Sequence, residues 1–96
     1  MAKVVWRPSA IRSLNSIAAH IRQFDPGAAE RYTARLTALG ESLAHFPNRG
    51  RPIDSGEREM ATVPPYVMRY CVIVDDEGAQ TVFITGVQHG RRRPAS

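Results

Sequence analysis

The segment from Tyr66 to Pro94 constrains the fold more than any other part of the chain. A strand-like run, Tyr66 to Val74, meets the acidic turn Asp75-Asp76-Glu77-Gly78, and a second run follows from Thr81 to Val87. β-branched and aromatic residues on both sides of a Gly-containing turn predict a β-hairpin. In the first run Tyr66, Met68, Tyr70, Val72 and Val74 share one face, which is expected to lie on helices. Val67, Arg69, Cys71 and Ile73 share the other face. In the second run Val82, Ile84 and Gly86 alternate with Thr81, Phe83, Thr85 and Val87, and both sets are rather apolar. That pattern predicts a central strand or a covered surface. The hairpin runs out into His89-Gly90-Arg91-Arg92-Arg93-Pro94, so positive charge leaves the end of a sheet. Such a cluster suits an anionic or nucleic-acid-associated partner.

The layer that covers this hairpin is legible upstream. Lys3 to Trp6 is a short apolar run that predicts a first strand, stopped by Pro8, with Ser9 as a candidate helix cap. Ile11, Leu14, Ile17, Ala18, Ile21 and Phe24 then recur at three- and four-residue spacing, which predicts a helix ending near Phe24. Asp25-Pro26 repeats the start signal, a capping acid before proline at the first helical position. Ala29, Tyr32, Leu36, Leu39, Leu43 and Phe46 form the second stripe, and the short connection predicts an antiparallel helical hairpin. Gly40 inside that helix costs about 1 kcal/mol relative to alanine, and close backbone approach would account for it. Trp6 is expected in the core. Pro47 to Pro52 is rich in turn residues, residues 53–58 are polar loop, and Glu59 to Val63 is a candidate short strand. The order is β-α-α-β-β-β. It implies an α+β fold, one domain over residues 1–96, with the helical hairpin packed on a small, mainly antiparallel sheet. The first strand is expected to join beside the last.

Composition sets further bounds. At 96 residues the chain can bury one modest core, and 43% hydrophobic with 23% charged residues is ordinary for a folded protein. The formal net charge is +4, and the basic side is almost all arginine, twelve against the single Lys3. Arginine presents a planar fork of donors that matches phosphate or carboxylate in two-pronged fashion. A GC-rich genome gives the same bias, so charge alone decides little. The single cysteine, Cys71, rules out an internal disulfide and reads as a small sheet residue. With no paired acids or cysteines at ligand spacing, neither metal nor cofactor is expected. No run approaches the roughly twenty apolar residues of a membrane span, and the N-terminus lacks the form of a signal peptide. A cytoplasmic location with no membrane partner is the expectation.

Several short motifs fall in one order along the chain: Trp6 with Pro8, Asp25-Pro26 with Ala28-Ala29, and Phe46-Pro47 followed by Gly50-Arg51. Tyr66 to Val72 and Val87-Gln88-His89-Gly90-Arg91-Arg92 complete the set. Each is weak alone, but together they resemble the RelE/ParE superfamily of bacterial toxins from toxin–antitoxin modules, over nearly the whole chain. The resemblance implies a toxin neutralised by a cognate antitoxin that wraps an acidic tail over it, which suits an arginine-rich surface. It also implies a choice of target. RelE-like members enter the ribosome and cut mRNA, whereas ParE-like members inhibit DNA gyrase.

Chemistry weighs on that choice. Metal-independent RNA cleavage needs a group to activate the 2′-hydroxyl, a group to protonate the leaving oxygen, and cations for the phosphorane. RelE-like toxins take these from lysines and arginines on the central strands and often from a C-terminal tyrosine or histidine. Here Lys3 lies at the wrong end, Val67 stands where RelE-like ribonucleases often have arginine, and Arg93-Pro94-Ala95-Ser96 brings no tyrosine. Arg58, Arg69, His89 and Arg91 remain as a degenerate nuclease set, with His89 as the acid–base candidate. His89 at a strand end is more simply a structural histidine. The balance favours the ParE-like branch, a toxin that acts by binding and is not an enzyme. Target or antitoxin contact then falls to Arg49, Arg51, Arg58, Arg69, Arg91, Arg92 and Arg93. A toxin that keeps antitoxin binding alone is a third reading.

Overall fold

A computed structural model describes residues 1–90, and it has the expected element order with one addition. Strand β1 (Lys3–Trp6) leads into helix α1 (Pro8–Arg22) and helix α2 (Pro26–Ser42). Strands β2 (Arg51–Pro52), β3 (Arg58–Val63), β4 (Tyr66–Val74) and β5 (Gln80–His89) follow. They form one sheet in the order β1-β5-β4-β3-β2, with β1 parallel to β5 and every other pair antiparallel. Strand β2 is the addition. Two residues ending in proline make it a short edge strand, a position where a missing N–H costs least.

The two helices start for different reasons. Asp25 caps α2 as expected, its Oδ1 accepting from the Ala28 N–H at 3.1 Å, with Pro26 following. At α1 the cap is Arg7, whose side chain makes no capping bond. Ser9 lies inside the helix and donates through Oγ to the Thr85 carbonyl at 2.7 Å. The sequence signal was correct about the region and wrong about the partner: the hydroxyl ties α1 to β5. Both apolar stripes also bury less than their sequence spacing suggests. Ile11 and Phe24 in the first are 47% and 76% exposed, and Phe46, beyond the last turn of α2, is 64% exposed.

The core lies between the helices and one face of the sheet. Leu36 and Leu39 of α2 and Leu43 at its C-cap meet Met68 and Tyr70 of β4 and Val82, Ile84 and Val87 of β5, with Val4, Trp6, Leu14 and Ile17 packed around them. Strand β5 departs from the expected alternation. Arg69 pairs with Gly86 but Tyr70 pairs with Ile84, so Thr85 is an extra residue, a β-bulge. The bulge moves Val87 onto the core face beside Val82 and Ile84, where strict alternation put it on the opposite one. A second irregularity between Met60 and Val63 keeps both of those residues inward on β3. The β4–β5 turn closes through Asp75, whose Oδ1 accepts from the Glu77 and Ala79 amides at 2.9 Å each, while Gly78 takes φ +84°.

Two glycines set close approaches. A Cβ at Gly40 would overlap the Trp6 ring and lie 2.7 Å from Ile84 Cδ1, so α2 reaches β1 and β5 only through this missing side chain. A Cβ at Gly50 would lie 2.8 Å from the Tyr70 ring. Tyr70, fully buried, accepts from the Gly50 N–H at 2.7 Å, and Arg58 donates to the Gly50 carbonyl at 2.6 Å and to the Asn48 carbonyl at 3.2 Å. The chain leaving α2 is thereby fastened to the sheet.

Gly40→Ala gains about 1 kcal/mol of helix propensity but overpacks a site where distortion costs about 1–3 kcal/mol. A net loss of up to about 2 kcal/mol and a Tm lower by up to roughly 16 °C are expected in a thermal melt. A rise in Tm would show that Trp6 yields without strain. Tyr70→Phe leaves the buried Gly50 N–H without its acceptor and is expected to cost about 1–3 kcal/mol, with faster hydrogen exchange at that amide.

Candidate functional site

The arginines singled out from the sequence separate by strand alternation. Directly opposed residues of an antiparallel pair share a face. Arg51 pairs with Glu59, Glu59 with Arg69, and Arg69 with Gly86, which defines one row across the sheet on the face away from the helices. Glu59 is 4% exposed and forms an ion pair with Arg51. A nearly buried carboxylate needs such a partner, because its desolvation would otherwise be costly. Arg58 pairs with Tyr70 and so belongs to the helix-side face, where its donors go to the Asn48 and Gly50 carbonyls. Arg49 sits on the loop beside the end of α2 and donates to Ser42 Oγ at 3.3 Å. Arg91, Arg92 and Arg93 lie outside the described residues.

His89 pairs with Tyr66 at the end of the β4–β5 ladder, on the same face as Met68 and Tyr70. Its ring meets Tyr66 edge-on at 5.8 Å, and Tyr66 meets Tyr32 of α2 edge-on at 5.5 Å. Burial, with a smaller contribution from Tyr32, raises the Tyr66 phenol above its ordinary pKa of 10.0, so it remains a neutral donor at physiological pH. A groove of about 620 Å³ opens here between α1 and the end of β5, lined by Arg12, Ser13, His20, Tyr66, Gln88 and His89. The sequence reading placed none of Arg12, His20 and Gln88 in a candidate site, and Gln88 entered it only as part of the Val87 to Arg92 motif. Helical spacing from Arg12 to His20 was the available signal, but only the docking of α1 on β5 brings it to the strand end.

The candidate nuclease set is therefore distributed. Arg58 and His89 flank β4 on its two sides at positions four residues apart, about 13 Å along the strand. Arg69 projects from the opposite face, and Arg91 lies outside the described residues. Among the described residues no group of three His, Cys, Asp or Glu is placed to hold a metal ion. Nor is any helix among them long and apolar enough to cross a membrane.

Comparison with known proteins agrees with this architecture. The family model for the ParE toxin of type II toxin–antitoxin systems matches residues 4–94. The chain is 47% identical over 72 residues to Toxin RelE2 of Caulobacter vibrioides, covering 75% of this chain and 82% of that protein. It is 35% identical over 77 residues to the putative toxin Y4kP of Sinorhizobium fredii, covering 78% and 80%. Among solved structures, the chromosomal ParDE system from P. aeruginosa shares the fold with a TM-score of 0.79 at 19% identity, covering 93% of this chain and 96% of that one. The RelBE2 toxin–antitoxin complex from Mycobacterium tuberculosis superposes with a TM-score of 0.64 at 25% identity, covering 92% and 96%. With the family model spanning nearly the whole chain, this protein belongs to the ParE toxin family of type II toxin–antitoxin systems, within the RelE/ParE superfamily.

Proposed function

We propose that this toxin acts by binding: it inhibits DNA gyrase in the cytoplasm and is neutralised by a cognate antitoxin with an acidic wrapping tail. The observation that carries the reading is the dispersal of the groups an RNA-cleaving site would need. General acid–base catalysis and phosphorane stabilisation require the groups to converge within hydrogen-bond reach of one phosphodiester. Arg58 donates to loop carbonyls on the helix side, and Arg69 belongs to the other face of the sheet. The family match points the same way, since it is to the ParE model. Support for an antitoxin partner comes from the fold neighbours, which are toxin–antitoxin systems, and from the net charge of +4.

A second reading, a RelE-like ribosome-dependent endoribonuclease, is favoured by one observation, the 47% identity to a protein named Toxin RelE2. His89 beside the protonated Tyr66 phenol would then supply the acid–base chemistry.

Induction without antitoxin separates the two. Loss of thymidine incorporation in the first minutes, with methionine incorporation intact, is expected for gyrase inhibition. Early loss of methionine incorporation would overturn that reading in favour of the ribonuclease. Arg69→Ala combined with Arg91→Ala is expected to relieve growth inhibition while leaving the melting transition cooperative. A folded double variant of undiminished toxicity would remove these arginines from the mechanism.

A further inference from the structure

Strand β1 ends at Trp6, opposite Ile84, so β5 beyond the bulge has β4 on one flank and only α1 on the other. A cavity of about 340 Å³ adjoining the groove lies at that step, lined by Ser13, Glu57, Arg69, Thr85, Gly86 and Gln88. Arg69 and Gln88 stand diagonally across the β4–β5 ladder on one face, about 7–8 Å apart at the backbone. Arg69 Nε and Gln88 Nε2 are both buried, and neither has a hydrogen-bond acceptor. Buried donors in folded proteins are almost always paired, so two orphans at one cavity mark a place where an acceptor is missing.

The other polar groups restrict what the acceptor is. Thr85 Oγ1 donates to Glu57 Oε2 and lies 3.2 Å from the Arg69 carbonyl. Ser13 Oγ donates to the Ser9 carbonyl at 2.8 Å, and Glu57 Oε1 accepts from Ser55. Those hydroxyls are committed, which leaves the guanidinium and the amide as the donors on offer. Glu57 places one negative charge on the cavity wall against the positive charge of Arg69, while Glu59, opposite Arg69 in the same row, is paired with Arg51. A dianion would meet that repulsion, whereas a single carboxylate puts two acceptor oxygens on two donors and neutralises the arginine.

The geometry points to a carboxylate-binding site at the β5 bulge, in which Arg69 and Gln88 grip one carboxyl group. The carboxyl is carried either by a free small acid or by an acidic side chain of a bound segment. Neither the gyrase nor the ribonuclease reading is needed for this site.

The test is a side-chain ¹H–¹⁵N titration of the full chain with acetate and, separately, with a short Asp-containing peptide, at constant ionic strength held with chloride. Saturable shifts at Arg69 Nε–H and the Gln88 amide are expected, weakened about tenfold or more in Arg69→Lys, which keeps the charge but loses the fork. Gln88→Leu is expected to weaken binding as well, and it keeps the proposal testable should position 69 be needed for folding. Shifts with acetate identify a free acid as sufficient, and shifts with the peptide alone identify the acidic side chain as the source. Shifts that chloride reproduces, that survive in both variants, or that neither probe elicits would overturn the site.

Discussion

One extra residue in β5 governs the architecture. Nine residues of β4 are paired along this strand, and a ladder that long with strict alternation would place Val87 away from the helices. Inserting Thr85 reverses the phase, so the core receives Val82 and Ile84 from before the bulge and Val87 from after it. The same insertion turns the Thr85 carbonyl to the Ser9 hydroxyl, which fastens α1 where β1 has run out. The cavity beside Arg69 follows from that step. A bulge commonly re-aims side chains at the end of a ladder, and here it serves the core and a polar recess together.

The arginines are less uniform than their number suggests. Arg58 satisfies loop carbonyls, Arg51 neutralises a buried glutamate, and Arg49 reaches Ser42 beside the end of α2. Each of these performs a structural task that lysine, a point charge without a fork, would perform less well. Arg69 forms no ion pair among the described residues and has a buried donor without an acceptor, which separates it from the other three. Opposite faces of one sheet cannot present a single patch, and so the dispersal bears on what kind of toxin surface this is.

Much of the fold was readable before any coordinates. Asp25-Pro26 predicted the start of α2, the Asp75 to Gly78 turn predicted the hairpin, and Gly40 predicted a close approach that Trp6 and Ile84 make. Elsewhere the local signals pointed to the wrong partner. Ser9 looked like a cap because serine before an apolar stripe usually is one, yet its hydroxyl serves another element. Phe24 and Phe46 extended the stripes in sequence, but the helices had ended or turned away by then. The site was less legible than the fold: Gly86 was the one hint of a bulge, and Gln88 stood only within the Val87 to Arg92 motif, with nothing to place it beside Arg69.

The sequence by itself determined the element order, the two helical stripes, the hairpin and the motif set that identifies the superfamily. These rest on local periodicity and on turn and cap chemistry, each confined to a few neighbouring residues. Tertiary structure decided which arginines share a face, that Tyr66, His89 and His20 border one groove, and that Arg69 and Gln88 meet at one cavity. The physical reason is that a single inserted residue inverts the facing of every side chain beyond it. Whether the insertion occurs depends on how well Val87 packs in the core, which is a property of the folded whole.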